Sequence, residues 1–189
     1  MSTLTPLVLT AILSLARAPA VTLPEELPRL EALAEAIAGA VDEAQALEAW
    51  LPGTGPGLPF TGAAAPEASA LALVAIAHHE SGFRAAVSDC RIVGTDHPSI
   101  TAWQLWGPFA RGPYSRRALC AEPRLAAERA LWTLAHHAER TRTPAGAFRG
   151  YASGDPAVRS RAAARQCALW ERLARAAGLV ASCGRRDVR

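Results

Sequence analysis

The chain has 189 residues, half of them hydrophobic, with a net charge of +3, a length that fits one domain with room for a small appendage and an ample core. The charge is split: residues 1–82 hold two Arg against nine acids and residues 83–189 hold 18 Arg against eight, net −7 and +10, and every basic residue is Arg. A basic second half attracts polyanions such as nucleic acid, teichoic acid or anionic peptidoglycan. No basic stripe interleaved with aromatics and no nucleic-acid motif is present, so nucleic acid is not an expected partner.

Richness in Ala and Leu with few β-branched runs predicts an all-α fold. The four cysteines, Cys90, Cys120, Cys167 and Cys183, contain no CxxC pair, which argues against a zinc ribbon or a thioredoxin site. They permit two disulfides in three pairings. A Cys90–Cys120 bridge, which closes the irregular segment between them, is the favoured one and points to an oxidising compartment.

Residues 4–16 (LTPLVLTAILSLA) are an apolar run followed by Arg17-Ala18-Pro19-Ala20. The run is too short to span a membrane. It has the length of a signal h-region but no basic residues before it, and a buried N-terminal helix accounts for it equally. Export to the periplasm or the exterior and retention therefore both stay open. Residues 24–50 carry apolar positions at Leu27, Leu30, Ala34, Ile37, Val41, Ala44 and Leu47, and Pro24-Glu25-Glu26 is helix-start chemistry. This predicts an amphipathic helix whose stripe braces the rest of the chain. Residues 52–62 (PGTGPGLPFTG) read as a linker. The expected division is a helical extension and linker over residues 1–60, then the main domain over 61–189.

The next stretch, Pro66 to Glu80, is apolar on every face, so it predicts a helix buried at the centre of the domain, with Gly82 as its stop. Glu80 shares a face with Leu73, Ile76 and Ala77. Desolvation and the negative end of the helix dipole both favour the neutral acid there, the setting that general-acid chemistry uses. Phe83 to Pro113 reads as irregular. Further helices are predicted over Pro123–Arg140 and Ala157–Ala177, with a turn-rich loop, Gly146–Pro156, between them. The arginines at 159, 161, 165, 172 and 175 read as the solvated face of the last helix.

Three separated motifs stand in this order: Glu80-Ser81-Gly82-Phe83 at a helix end, Thr101-Ala102-Trp103-Gln104-Leu105 some twenty residues on, and Gly150-Tyr151-Ala152-Ser153-Gly154 between two later helices. Over residues 66–177 the chain resembles the lysozyme-like lytic transglycosylases of the soluble (SLT) type. In that family a helix ends in E-S-x-[FY], a later segment ends in G-L-M-Q-[LI], and a further loop carries A-Y-N-x-G. The first motif matches. The second keeps Gln104 and Leu105 but has Thr101, Ala102 and Trp103 for Gly-Leu-Met. The third keeps Tyr151 and Gly154 but has Gly150 and Ala152 for Ala and Asn.

The resemblance implies a lysozyme-like helical domain that needs no cofactor and cleaves peptidoglycan glycan strands. It makes Glu80 the sole catalytic acid/base, Ser81 a neighbour that orders the substrate, Gln104 a glycan contact, and Tyr151 a residue that hydrogen-bonds near Glu80 and positions it. Trp103 is a candidate to stack on a sugar ring, and Trp106 reads as core. A hydrolase of similar fold uses a second carboxylate, for which Asp89, Asp96 and Asp155 are the candidates. A fold of this kind that binds cell wall or a partner protein without cleaving it is the other alternative. His78, His79, His136 and His137 form no HxxxH or HExxH pattern, so no metal is expected.

Overall fold

The computed structural model describes residues 2–16, 23–50, 57–88, 90–91, 99–106, 114–184 and 188, without the side chains of residues 23, 24, 88 and 106. Asp89, Asp96, residues 52–56 of the expected linker and the Trp106 side chain lie outside what is described. Among the described residues the protein is all-α: α1 Thr5–Leu15, α2 Leu23–Trp50, α3 Ala65–Ser81, α4 Ala85–Ser88, α5 Arg116–Ala121, α6 Pro123–Thr141, α7 Pro144–Ser153 and α8 Arg161–Ala176. One two-residue antiparallel pairing, β1 Ser99–Ile100 with β2 Leu105–Trp106, interrupts the helices.

The centre is α3. Every residue from Ala68 to Ala77 is buried, as a helix apolar all round demands. Two indoles from other parts of the chain donate to its backbone carbonyls: Trp170 Nε1 to Ala68 O at 2.9 Å and Trp103 Nε1 to Leu73 O at 3.1 Å. Trp170 also stacks on Phe60, with ring centroids 4.5 Å apart, so α8 and the segment before α3 close on the same place. The helix stops where Gly82 takes the left-handed conformation at φ 59° and its N–H caps His78 O.

The first two helices join this core. Val8, Ile12, Leu30, Ile37 and Val41 are buried in one cluster with α3. From α2, Arg29 Nη2 donates to Phe83 O at 2.6 Å, which holds the turn just after Glu80. Two disulfides close the structure, Cys90–Cys120 and Cys167–Cys183, with Cα atoms 5.7 and 6.1 Å apart. The first is the expected staple. The second ties the end of the chain to α8, and Glu171 Oε1 accepts from Cys183 N–H beside it.

Two segments differ from the sequence reading. The expected loop over 146–156 is largely the helix α7. Thr143 caps its start by accepting from Gly146 N–H, Pro144 opens it, and Gly154 ends it at φ 75°. The glycines that read as loop punctuation are instead places of close approach to α6. A Cβ at Gly146 would lie 2.3 Å from Thr141 Oγ1, and one at Gly150 would lie 2.3 Å from the imidazole of His137. The last helix begins at Arg161 rather than Ala157, because Ser160 caps it and Asp155 holds a turn at Ala157 N–H.

The packing of α2 predicts that Ile37→Ala lowers unfolding free energy by about 2–5 kcal/mol, the usual cost of emptying a fully buried aliphatic site. Urea denaturation measures it; a change under about 0.5 kcal/mol, the scale of surface substitutions, would mean that α2 does not brace the core.

Candidate active site

Glu80 stands one residue before the end of α3, where the buried helix meets the surface. Its side chain is 23% exposed, so the carboxyl lies at the rim of the core rather than fully inside it as the sequence suggests. Oε1 accepts a 2.7 Å hydrogen bond from Nε2 of Gln166, a fully buried residue on α8. His79 Nδ1 is a longer contact at 3.4 Å. An ionised carboxylate only accepts, so the Gln166 amide must present its NH2 group to it. The amide oxygen, Gln166 Oε1, is buried without a partner among the described residues.

Glu80 opens onto a cleft of about 730 Å³. Ser99 and Leu105 of the β-pairing, Trp103 and Gln104 of the turn between its strands, Leu119 of α5, Gly150 to Gly154 at the end of α7, and a face of α6 complete its lining. Glu80 is the one carboxylate among the described lining residues. Asp155 is exposed and spends its carboxylate on Ala157 N–H.

Of the five residues singled out in the sequence, the structure brings Glu80, Gln104 and Tyr151 to this cleft as accessible groups. Gln104 has a left-handed backbone at φ 49°, and its Nε2 donates to Thr101 O at 3.3 Å. Tyr151 makes its hydrogen bond near Glu80 rather than to it. Its hydroxyl donates to Trp103 O at 2.9 Å. Burial, and then the charge of nearby Glu80, push the Tyr151 phenol well above its ordinary value of 10, so it stays a protonated donor. This bond locks α7 to the turn that carries Gln104.

Two residues do not fit their expected roles. Ser81 is buried, and its hydroxyl donates to Ala77 O and accepts from Phe83 N–H, so it shapes the helix end and does not line the cleft. Trp103 borders the cleft but is 1% exposed, with its indole committed to α3. It is a core residue and offers no free face to a sugar ring.

The sequence reading missed Gln166, His137 and the α6 wall. Gln166 was detectable in principle: it lies three after Ala163 and four before Trp170 on the apolar stripe of α8, and a polar residue on a buried face needs a partner. His137 is nearly buried and seats against Gly150. Its Nδ1 has no partner among the described residues. Burial first, then the neighbouring charges of His136 and Arg140, hold His137 below its ordinary value of 6.5. Among the described residues no group of three or more His, Cys, Asp and Glu is placed to hold a metal ion, and no helix is long and apolar enough to cross a membrane.

Comparison of the chain with protein-family models, with curated proteins and with solved structures finds no match.

The seat of His137 leads to two expectations. Gly150→Ala drives a methyl into the imidazole and should destabilise by about 1–3 kcal/mol; in the His137→Ala background most of that cost should vanish, giving a coupling that thermal unfolding of the four proteins reads directly. Equal costs in both backgrounds would place the clash elsewhere. Because folding lowers the proton affinity of His137, the unfolded chain binds more protons below about 6.5. Stability should therefore fall on acidification through that region, and fall less in His137→Asn, as melting temperatures near pH 7.5 and 5.5 would record.

Proposed function

We propose that this protein is a lysozyme-like lytic transglycosylase that cleaves the bond between N-acetylmuramic acid and N-acetylglucosamine in peptidoglycan, using Glu80 as its only acid/base. The observation that carries the reading is the single carboxylate of the cleft, standing at the end of the central helix and oriented by a buried amide. A carboxyl held in this way can give a proton and take one back at the same point.

In the proposed reaction Glu80 protonates the glycosidic oxygen as the C1–O bond breaks, releasing the N-acetylglucosamine side. The resulting carboxylate then removes the proton of the muramic C6 hydroxyl, whose oxygen bonds to C1 and closes a 1,6-anhydro ring. Protons balance within the cycle, and no water is consumed. A two-carboxylate hydrolysis needs a second carboxylate, as nucleophile or base, on the far side of the sugar, and the described lining residues supply none.

Further support comes from the departures from the family's motifs. Thr101 stands where the family carries Gly, and its backbone is left-handed at φ 69°, a conformation that favours glycine and strains a β-branched residue. The turn therefore keeps the shape for which a glycine is suited. Gly150 stands where the family carries Ala, and the imidazole of His137 fills the place of the missing methyl. Gln104 supplies a carboxamide on the cleft wall for glycan hydroxyl or acetamido groups.

The test is digestion of purified peptidoglycan by the wild type and by Glu80→Gln, with products identified by mass spectrometry. Anhydro-muropeptides from the wild type, reduced at least a hundredfold in the variant, are expected. Reducing-end products would overturn the single-acid chemistry in favour of a hydrolase. No products with retained binding to sacculi would leave a cell-wall binding module.

A further inference from the structure

The wall of the cleft formed by α6 carries a feature that cleaving a glycosidic bond does not require. Arg129, Trp132, His136, His137 and Arg140 recur along one face of that helix and line the cleft. Arg129 is fixed between two rings, its guanidinium carbon 5.4 Å from the centroid of Tyr114 and 4.5 Å from that of Trp132. Trp132 in turn stacks on His136 at 5.2 Å with the planes nearly parallel, and His136 meets His137 edge-on at 5.5 Å. Neither Arg129 nor Arg140 pairs with a carboxylate among the described residues, and Arg129 Nε is buried without a partner. The contrast with Arg124 of the same helix, which pairs with Glu128 and with Glu43 of α2, marks these cations as uncommitted.

We propose that this wall is a carboxylate-binding subsite, with Arg129 as its anchor, that takes an acidic side group carried by the glycan strand. The inference rests on the glycan-cleaving reading and deepens it by naming the substituted strand as the preferred substrate. A guanidinium with its plane set by flanking rings presents a fork that matches a carboxylate and loses little freedom on binding. Eight residues separate Arg129 from His137, about 12 Å along the helix. The subsite is thus displaced along the cleft from Gly150 and Tyr151, and the acidic group it takes belongs to a sugar or its side chain beside the reacting bond. Trp132, 42% exposed, offers an aromatic surface next to the charge.

The experiment measures binding to Glu80→Gln, which keeps the bond intact, and to Glu80→Gln/Arg129→Gln. The probes are soluble glycan fragments with peptide side chains, the same fragments with their carboxyls converted to amides, fragments stripped of peptide, and neutral N-acetylglucosamine oligomers. Amidation should weaken binding to Glu80→Gln about tenfold, the scale of one charge-assisted hydrogen bond. Arg129→Gln should erase that difference and leave affinity for the neutral oligomers within about twofold of its starting value. The preference should also shrink between about 0.05 and 0.5 M salt, a readout independent of any change at Arg129. Loss on removing the peptide locates the carboxylate there, and its persistence in stripped fragments locates it on the sugar; both support the subsite. Equal affinity for charged and amidated fragments, or an equal loss on every probe in Arg129→Gln, overturns it. The cleavage assay separates the two ideas: anhydro products without a carboxylate preference sink the subsite alone, and a preference without products sinks the transglycosylase alone.

Discussion

The interaction on which the site depends is the hydrogen bond from Gln166 to Glu80. It joins the last turn of the central helix to a buried position on α8, 86 residues later in the chain. A buried amide with no acceptor loses its water without recompense, and a carboxylate at the edge of a core needs a donor for the same reason. Each group therefore resolves the other's difficulty, provided α8 stands at one height against α3. That height is set elsewhere, by Trp170 donating to Ala68 O, four residues along α8 from Gln166. A slip of α8 by one turn, about 5.4 Å, would break both bonds together.

The other side of the cleft is positioned by a different device. Helix α7 lies against α6 because Gly146 and Gly150, four residues apart and so on one face, leave room for Thr141 and His137. The approach carries Tyr151 to the turn between the β-strands, where its hydroxyl takes Trp103 O. Trp103 reaches down to Leu73 O on α3. A connected chain thus runs from α6 through α7 and the turn to the central helix, and Glu80 and Gln104 are carried at its two exposed points. Trp103, His137, Gly146 and Gly150, which hold this chain in place, are buried.

Much of the fold was legible because its signals are local. A run such as Ala70 to Ala77, apolar at every angle, has no place except the interior, and the stop at Gly82 follows from its freedom to adopt positive φ. The periodic stripe of α2 and the Cys90–Cys120 staple were legible for similar reasons. Helix α7 was not, because Gly146, Gly150 and Gly154 are identical as letters and differ in function. Only the last takes a left-handed backbone, whereas the other two are helical and serve close packing. Of the site, Glu80, Gln104 and Tyr151 could be named from motifs, but the partner of each is fixed by contacts between distant segments. No local pattern assigns Gln166 to Glu80, or gives the Tyr151 hydroxyl to a backbone carbonyl.

The same contacts explain why single motif letters mislead here. Ser81 follows the acid directly, yet its hydroxyl closes the helix end, because the residue beside a left-handed stop has backbone groups that need partners. At position 150 glycine and a bulky imidazole on the facing helix are complementary in volume. That fit has a consequence for the cleft. By filling the seat at Gly150, His137 fixes the turn of α6 that it occupies, and the helical repeat then presents Trp132, His136 and Arg129 on the cleft side. The glycine in α7 and the cationic face of α6 are therefore parts of one arrangement, joined through the seat of His137 at Gly150.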